Sequence, residues 1–360
     1  DVPVSIVPQD TFNIIYSSGT TGTPKGIMHT HRMRWTQITA YATAGFANAI
    51  TMVATPIYSN TTLVSLIPTL AYGGTAILLG KFDAQQFLEM SERERITHAM
   101  LVPVQYQRIM AIPDFDRFDL NCYLFKSCTS APFAADLKAD IVRRWPGVLL
   151  EVYGMTEGGG TCLLYANAYP DKLHTVGQPA PGNDIRLIDE NGVEVPQGGI
   201  GEVVGRSAVM MAGYHSRPDA SAEASWQDAE GNHYIRHGDL GRFDEDGFLT
   251  LLGRSKDMII SGGFNVYPPD IESVLLEHPA IGDAAVIGVP SAVWGETPHA
   301  FYVTNDDSLT SAAVIDWVNA RVGKTQRLAG AERIDELPRS AIGKVLKREL
   351  RDLFETRQVA

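Results

Sequence analysis

A segment rich in glycine and hydroxyl side chains, between residues 16 and 26, has the composition of a phosphate-binding loop. Glycine lets the backbone turn tightly and approach a ligand closely, and successive N–H groups of such a turn can converge on an anion. The hydroxyl groups add donors, and Lys25 adds a positive charge suited to phosphate. The segment is not a Walker A loop, because Gly26 follows Lys25 where that motif requires serine or threonine. The candidate phosphate contacts are Ser17, Ser18, Gly19, Thr20, Thr21, Gly22 and Lys25.

A second polar cluster occupies residues 153–157, with the sequence YGMTE. It follows a predicted strand at 148–152, and ligands in open α/β sheets collect beyond the carboxyl ends of strands. Tyr153 can stack on a base, Thr156 can donate to a phosphate, and Glu157 can hold a hard cation through oxygen. Taken alone, the same residues could be a strand end that leads into a helix with Thr156 as its N-cap.

Other positions have groups suited to a nucleotide. Ser130, Ala131 and Pro132 follow another predicted strand, and small residues there would let backbone groups reach a flat base. The carboxylate of Asp239 only accepts hydrogen bonds, which suits the paired hydroxyls of a ribose. Arg254 is a further candidate contact for ribose or phosphate. Each of these alone could equally be a turn or a surface charge.

The hydrophobic pattern predicts elements that would position these residues. Strands are predicted at 12–16, 52–55, 75–79, 99–102, 120–126 and 148–152. Helical spacing between them, as in 62–71, indicates βαβ units and a largely parallel sheet. From 176 to 253, short strands separated by turns at 190–192 and 245–247 predict a small antiparallel, barrel-like region. Beyond 257, helices at 269–277 and 312–322 alternate with strands at 284–289 and 300–304, which indicates a compact α+β domain.

This pattern predicts an α/β large domain followed by a small α+β domain. The large domain would span residues 1–256, with a βαβ region at 12–170 and a β-rich region at 171–256. The C-terminal domain would span residues 257–360.

Composition limits the function classes. A net charge of −12 and a pI of about 5.2 argue against a nucleic-acid partner, because there is no basic excess to neutralise phosphates. No apolar run reaches the ~18 residues of a spanning helix. The three cysteines, Cys122, Cys128 and Cys162, have no CxxC spacing and predict reduced thiols in a cytoplasmic protein.

The order of the motifs resembles the adenylate-forming enzymes, the superfamily that includes the acyl-CoA synthetases. The resemblance extends from Tyr16 to about Leu350 and rests on five groups of segments. They are the loop at 16–26; YGMTE at 153–157; GE at 201–202 through GY at 213–214, with GDLG at 238–241; GRSKD at 253–257, with GGFNV at 262–266; and LPRSAIGK at 337–344.

The resemblance implies specific roles for the candidate residues. Tyr153 would flank the adenine of ATP, and Thr156 would contact the α-phosphate. Glu157 and Thr20 would coordinate Mg²⁺. Lys344 would enter the site only for adenylation, where it would stabilise charge as that charge develops.

The resemblance also implies a mobile C-terminal domain. Lys256 would be the hinge that absorbs the backbone change. Gly262 and Gly263 would belong to a strand that lines the pantetheine tunnel of CoA, although two glycines alone could mark a strand bulge.

The sequence departs from the family pattern at several sites. His237 replaces the threonine usual two residues before Asp239, and Cys128-Thr129 stand where a glycine is usual before Ser130. Ser59 stands where the segment 55–59 often ends in histidine, which argues against an aromatic-acid specialist of that type.

The acyl pocket is assigned to Tyr58, Ser59 and Gly158. The glycines at 158–160 are expected to leave room beside the reacting carboxylate. These features favour a fatty or bulky alicyclic acid.

The predicted function is an ATP-dependent carboxylate–CoA ligase that forms an acyl-adenylate and then a thioester. Two alternatives stay open: an adenylation enzyme that loads a carrier protein, and an inactive nucleotide-binding fragment. The chain starts at Asp1, only fifteen residues before the loop, whereas family members have a larger N-terminal portion. We therefore expect the sequence to lack the N-terminal portion of the large domain.

Overall fold

The structure is a computed structural model that describes residues 4–17, 24–40, 45–340 and 343–359. The chain forms two compact units. The first comprises Asp1–His237 and Arg242–Thr250, and the second comprises Gly238–Gly241 and Leu251–Ala360.

The first unit contains fifteen of the described strands, the last two of which continue into residues of the second unit. The strands are β1 (Thr11–Ser17), β2 (Lys25–Thr30), β3 (Ile50–Val53), β4 (Thr75–Leu78), β5 (His98–Leu101), β6 (Phe125–Cys128), β7 (Val148–Gly154), β8 (Thr161–Tyr165), β9 (Gln178–Pro179), β10 (Asp184–Ile188), β11 (Gly201–Arg206), β12 (Gly213–Tyr214), β13 (Ser225–Gln227), β14 (His233–Phe243) and β15 (Leu249–Arg254). The helices are α1 (His31–Ala40), α2 (Asn60–Ala71), α3 (Ala84–Arg93), α4 (Pro103–Met110), α5 (Ala135–Arg144) and α6 (Pro218–Glu223).

A seven-stranded sheet of order β4-β3-β5-β6-β7-β8-β9 forms the centre of this unit. Neighbours from β4 to β7 are parallel, whereas β8 and β9 pair antiparallel. Parallel neighbours need a crossover connection, and α2, α3, α4 and α5 supply one after each successive strand. The predicted βαβ architecture is confirmed for β3 to β7. The strand predicted at 120–126 starts only at Phe125, because Leu120 and Tyr123 form a turn with buried side chains.

The first strand lies outside this sheet. β1 pairs antiparallel with β2 in a separate three-stranded sheet of order β1-β2-β12. The prediction of a strand at 12–16 is confirmed, but its assignment to the parallel sheet is wrong. Only residues 18–24 separate β1 from β2, whereas a parallel connection takes about a dozen residues or more.

An aromatic cluster around Trp145 joins helices α3, α4 and α5 of the first unit. Trp145 is 1% exposed, and its ring centroid lies 5.1–6.1 Å from those of four aromatic residues. They are Phe87, Tyr106, Phe115 and Tyr123. Aromatic side chains bury about 150–250 Å² each and dominate core energetics, so this cluster anchors α3, α4 and the end of α5.

A buried ion pair joins α5 to β7, the strand that leads into YGMTE. Lys138 Nζ lies 2.5 Å from Glu151 Oε2 and 3.2 Å from the carbonyl oxygen of Thr175, and both charged side chains are almost completely buried. Burial raises the pKa of Glu151, and the ammonium of Lys138 opposes that rise. Such a pair is costly to break, because the remaining charge would be buried without compensation.

The antiparallel region is a five-stranded sheet of order β10-β11-β14-β13, with β15 paired to β14. Aspartate carboxylates close its hairpin loops. Asp189, Asp228 and Asp244 each accept hydrogen bonds from two backbone N–H groups further along the chain. Each loop then has a residue at positive φ, and that residue is glycine because residues with a side chain rarely adopt this conformation. The predicted turns at 190–192 and 245–247 are confirmed.

The second unit has strands β16 (Ile259–Ser261), β17 (Phe264–Val266), β18 (Asp283–Ser291), β19 (Gly295–Val303) and β20 (Gly330–Arg333), and helices α7 (Pro268–Leu276), α8 (Ser311–Asn319) and α9 (Lys347–Val359). Its sheet has the order β17-β16-β19-β18, with β20 parallel to β19. Ile271 and Leu275 of α7 and Val314 and Val318 of α8 are fully buried in its core. The predicted α+β architecture is confirmed.

In the part of the chain that the structure describes, no helix is long and apolar enough to cross a membrane. The cysteines are unpaired, as predicted: Cys128 and Cys162 are completely buried, and Cys122 is partly exposed.

Candidate functional site

The ends of the predicted phosphate loop are fixed by strand pairing. Ser17 at the end of β1 pairs with Lys25 at the start of β2. Five predicted phosphate contacts lie outside the described residues: Ser18, Gly19, Thr20, Thr21 and Gly22.

Lys25 and Glu157 are joined through one aromatic side chain. The ammonium of Lys25 lies over the ring of Tyr214, 4.9 Å from its centroid. The hydroxyl of Tyr214 donates a 2.8 Å hydrogen bond to Glu157 Oε1. Burial, and then the charge of Glu157, raise the pKa of Tyr214, so the hydroxyl keeps its proton and acts as the donor. The predicted phosphate cation and the predicted metal ligand therefore converge on Tyr214.

Thr156 and Glu157 lie in a turn between two antiparallel strands. β7 ends at Gly154 and β8 starts at Thr161, so no helix follows and the alternative of a helix N-cap at Thr156 is wrong. The N–H of Gly158 donates to the carbonyl of Met155, and the N–H of Met211 donates to the carbonyl of Glu157. Thr156 and Glu157 are both partly exposed, which leaves their side chains accessible.

A buried histidine on β2 contacts this turn. His29 Nε2 lies 2.7 Å from the carbonyl oxygen of Thr156, and His29 Nδ1 lies 2.7 Å from a guanidinium nitrogen of Arg34. Arg34 also donates to Asn13 Oδ1 and Gln37 Oε1. Burial, and then the charge of Arg34, lower the pKa of His29 to about 4, so the imidazole is neutral near pH 7.

Tyr153, the predicted adenine contact, is bonded to His237, the residue that departs from the family pattern. The hydroxyl of Tyr153 lies 2.9 Å from His237 Nδ1, and the ring centroids are 5.5 Å apart. His237 Nε2 lies 2.8 Å from the carbonyl oxygen of Gly159, and the histidine is only 4% exposed. The histidine that stands in place of the usual threonine is therefore a packed, hydrogen-bonded side chain.

The glycines at 158–160 do not leave open space, which corrects our expectation. A Cβ atom at Gly158 would overlap the carbonyl of Val209, and one at Gly160 would overlap Ile185. A Cβ atom at Gly159 would lie 2.8 Å from Ile235 Cβ. All three glycines are buried, so they admit neighbouring protein atoms where the sequence predicts space for substrate.

The other acyl and adenine candidates of the first unit lie around α2. Tyr58 is 69% exposed, whereas Ser59 is the N-cap of α2 and accepts a hydrogen bond from the N–H of Thr61. Ser130 has φ of 83° and its hydroxyl lies 2.8 Å from that of Thr61. The strained backbone of Ser130 sets the direction of the following residues, of which Ala131 is partly exposed and Pro132 is exposed.

In the second unit, the predicted ribose residues contact each other. Arg254 Nε lies 2.8 Å from Asp239 Oδ1. The backbone N–H of Lys344 donates to the hydroxyl of Ser340. Partial loss of solvation, followed by the charge of Arg254, lowers the pKa of Lys344 to about 8, while Asp239 acts in the opposite direction. The structure therefore brings Asp239, Arg254 and Lys344 into one electrostatic environment.

Gly262 and Gly263 form the tip of a hairpin between β16 and β17, so the prediction that they lie within a strand is wrong. Both have positive φ, 60° and 81°, which suits a two-residue turn. The N–H of Gly262 donates to the carbonyl of Trp294, and a Cβ there would lie 2.5 Å from the Trp294 ring. A Cβ at Gly263 would meet no atom within 4 Å, so its outer side is open. Lys256 lies in a 3₁₀ turn, Ser255–Asp257, and is exposed.

Comparison with known proteins agrees with the order of motifs. Residues 1–215 match the family described as AMP-binding enzyme, and residues 270–344 match the AMP-binding enzyme C-terminal domain. The chain belongs to this family.

Similar proteins include a feruloyl-CoA synthase from Amycolatopsis sp, 35% identical over 98% of this chain and 72% of that protein. Another is the long-chain-fatty-acid–CoA ligase FadD13 of Mycobacterium tuberculosis, 31% identical over 96% of this chain and 68% of that protein. The crystal structure of ATP-bound MatB from Rhodopseudomonas palustris has a TM-score of 0.85 at 31% identity, over 98% of this chain and 69% of that one. This AMP-binding enzyme is accordingly an AMP-forming acid–thiol ligase that joins a carboxylate to CoA at the expense of ATP.

The residues of the AMP-binding enzyme fit a magnesium ion held mainly by substrate. No group of three or more acidic, histidine or cysteine ligands occurs among the described residues. Magnesium is usually bound by one or two carboxylates together with substrate phosphates. Glu157 offers one carboxylate, and the hydroxyl of Tyr214 donates to one of its oxygens, Oε1.

Sequence reasoning missed four residues that the AMP-binding enzyme places at its candidate sites: His29, Arg34, Tyr214 and Trp294. Tyr214 lies within the GY motif, but nothing in its neighbourhood along the chain indicates that it contacts Glu157, 57 positions away. His29 occupies an inward position of β2, two residues after buried Ile27, and this alternation was its only local signal. The contact of Trp294 with Gly262 depends on the pairing of β16 with β19.

Proposed function

We propose that this AMP-binding enzyme binds ATP with its phosphates between Lys25 and Glu157 and activates an apolar monocarboxylic acid for transfer to CoA. The arrangement of Lys25, Tyr214 and Glu157 carries the proposal. A cation over the ring of one tyrosine can bind a phosphate directly, and a carboxylate bonded to the hydroxyl of the same tyrosine can bind a phosphate-bound cation. Ser17, at the base of the loop, adds a hydroxyl donor beside Lys25.

In the first step, a carboxylate oxygen of the acid forms a bond to the α-phosphorus of ATP, and the bond to pyrophosphate breaks. Thr156 donates to the α-phosphate, and Lys25 offsets the charge of the leaving phosphates. Glu157 and Thr20 are the residues that would hold Mg²⁺, which would supply further neutralisation of phosphate charge. The ammonium of Lys344 stabilises the charge that develops during transfer.

In the second step, the thiol sulfur of CoA forms a bond to the acyl carbon, the bond to AMP breaks, and the thiol proton is released to solvent. Lys256 is proposed as the hinge that separates the two steps. The hairpin tip at Gly262 and Gly263 is proposed to lie along pantetheine. Its open outer side, and the ring of Trp294 beneath it, support this role because a thin, extended chain could pass there.

The nucleotide contacts follow from the same residues. Tyr153 is proposed to stack on adenine beside the backbone of Ser130, Ala131 and Pro132. Asp239 is proposed to accept the ribose hydroxyls. The ion pair with Arg254 supports this assignment, since it fixes the orientation of the carboxylate.

For the acid, we propose a fatty or bulky alicyclic substrate. The acyl candidates Tyr58, Ser59 and Gly158 carry no charge, so they offer no partner for a second carboxylate on the substrate. The exposed ring of Tyr58 suits an apolar group that lies against the α2 side. The free thiols support a cytoplasmic location.

Pyrophosphate release across a panel of acids tests the proposal. The panel should hold fatty, alicyclic, hydroxycinnamic and dicarboxylic acids, each with Mg²⁺ and ATP, followed by CoA or a carrier protein as acceptor. We expect release with the apolar monocarboxylates, acyl-CoA as product, and loss of release in Glu157→Gln. Release confined to dicarboxylic acids contradicts the substrate class, acylation of carrier protein alone contradicts the acceptor, and no release with any acid contradicts the activity of this chain.

A further inference from the structure

Two backbone carbonyl groups on either side of Glu157 are each contacted by a buried histidine. His29 reaches the carbonyl of Thr156, and His237 reaches the carbonyl of Gly159. The two histidines come from different strands, β2 and β14, and are 0% and 4% exposed. The short turn that carries Glu157 is therefore held at both ends by side chains distant in sequence.

The partners of His29 fix its tautomer. A carbonyl oxygen only accepts, so Nε2 must carry the proton that points at Thr156. A guanidinium only donates, so Nδ1 must be the unprotonated acceptor for Arg34. A second proton on His29 would face Arg34 directly and would remove the acceptor that Arg34 uses.

His237 has the same arrangement. Its Nε2 must donate to the carbonyl of Gly159, which leaves Nδ1 to accept from the hydroxyl of Tyr153. Gly159 is needed for this approach, because a Cβ there would lie 3.2 Å from His237 Nε2 and 2.8 Å from Ile235 Cβ. The same imidazole thus sets both the end of the turn and the hydroxyl of the candidate adenine contact.

We propose that His29 and His237, each as the neutral Nε2–H tautomer, are positioning residues that hold the Glu157 turn and Tyr153 in the geometry used for ATP. The proposal rests on the proposed function for the identity of the ligand. Neither histidine is required to touch substrate. Loss of a group that orients a ligand-binding side chain commonly lowers affinity or activity about 10–100-fold.

Nitrogen NMR of the histidine-labelled chain tests the tautomers without any activity. The chain has nine histidines, and the signals of two of them are assigned by their disappearance in His29→Gln and His237→Gln. We expect both rings at pH 7 to show a protonated Nε2 and an unprotonated Nδ1. An Nδ1–H tautomer or a doubly protonated ring at either position overturns the proposal.

Titration with Mg²⁺ and ATP tests the consequence. Glutamine can place a donor near the position of Nε2, whereas leucine cannot. We expect His29→Leu and His237→Leu to weaken ATP binding about 10–100-fold, and the glutamine variants to stay within about threefold of the parent. His98, 3% exposed on β5, is the matched control: His98→Leu should lower the melting temperature without weakening ATP binding.

The outcomes separate the two proposals. Equal ATP affinity in leucine and glutamine variants, or equal weakening in His98→Leu, overturns the positioning role. If a leucine variant does not fold, the comparison of the glutamine variant with the parent and the tautomer spectra decide. A parent chain that binds ATP but releases no pyrophosphate with any acid contradicts the proposed function and leaves the histidine proposal to be decided by the titration.

Discussion

A single hydroxyl group links the two charges on which the phosphate site depends. We predict that Tyr214→Phe keeps the ring beneath Lys25 but frees the carboxylate of Glu157 to move. Affinity for Mg²⁺ and ATP should fall about 10-fold or more, as for other groups that orient a metal ligand. Pyrophosphate release at varied Mg²⁺ concentration measures this.

The matched control is Tyr234→Phe, which removes another buried tyrosine hydroxyl, bonded to Asp184 instead. It should leave the Mg²⁺ dependence unchanged. If both variants shift that dependence equally, the orienting role of Tyr214 is wrong.

The side chain of Lys344 gains or loses its charge at a pH near neutrality. Its pKa is lowered to about 8, so the ammonium that adenylation requires is present below that pH and is lost as pH rises through it. We predict that the rate of pyrophosphate release declines above about pH 8. In Lys344→Ala this rate should fall about 10²–10³-fold and the decline above pH 8 should vanish.

Thioester formation from a supplied acyl-adenylate provides the contrast for Lys344→Ala. This half-reaction should be nearly unaffected, because the proposed role belongs to the first step alone. Equal loss in both half-reactions would show that Lys344 supports the fold or both steps.

At the residue scale, the sequence predicted groups whose chemistry is local. Lys25 and Glu157 stand in segments whose composition alone indicates phosphate and cation binding. Their link through Tyr214 could not be predicted, since it depends on the pairing of β12 with β2. His237 was visible as a departure from the family pattern, but its partners, Tyr153 and Gly159, became clear only from the packing.

At the scale of elements, the β16–β17 hairpin gives a test of the CoA route. We predict that Gly263→Leu blocks the passage of pantetheine and lowers thioester formation, while pyrophosphate release stays nearly intact. The side chain would enter open space, at a backbone cost of about 1–2 kcal/mol for a non-glycine residue at positive φ.

Gly263→Asn controls for that backbone cost, because asparagine tolerates positive φ and is smaller. It should retain more thioester formation than Gly263→Leu. Gly262→Leu should instead unfold the hairpin, since its side chain would collide with Trp294. Parallel loss of adenylation in Gly263→Leu would mark Gly263 as a folding residue.

The ion pair between α5 and β7 predicts a stability pattern. Lys138→Met leaves Glu151 buried without its counter-ion and should cost about 3–5 kcal/mol of unfolding free energy. The double variant Lys138→Met/Glu151→Leu should recover most of that loss, because no uncompensated charge remains. Denaturant unfolding of the parent, both single variants and the double variant measures the coupling, and additive losses would contradict it.

Element types followed from periodicity, whereas strand partners did not. The extended apolar segment at 284–289 and the helix predicted at 312–322 correspond to β18 and α8. The strand at 12–16 has the same apolar character as those of the parallel sheet, yet the short connection to β2 dictates an antiparallel partner. Connection length was therefore the missing constraint.

At the scale of the whole molecule, a substitution at Lys256 tests whether the two half-reactions need a backbone change at this residue. Proline fixes φ near −65° and removes the N–H. We predict that Lys256→Pro keeps adenylation and loses thioester formation, with little change in melting temperature because the side chain is exposed.

Lys256→Ala is the control, since alanine removes the side chain but leaves the backbone free. It should retain both half-reactions. If Lys256→Pro stays within about twofold of the parent in both, or loses both through unfolding, the hinge assignment is wrong.

The burial of the cysteines has a consequence for a molecule that makes a reactive mixed anhydride. An acyl-adenylate reacts with thiolates, and the protein's own sulfur atoms would compete with the intended acceptor. Burial raises the pKa of Cys162 to about 12 and that of Cys128 well above its usual value, and neither thiol is accessible. Burial also raises the pKa of Cys122. Because the thiolate is the nucleophile, Cys128 and Cys162 are poor competitors with the intended acceptor.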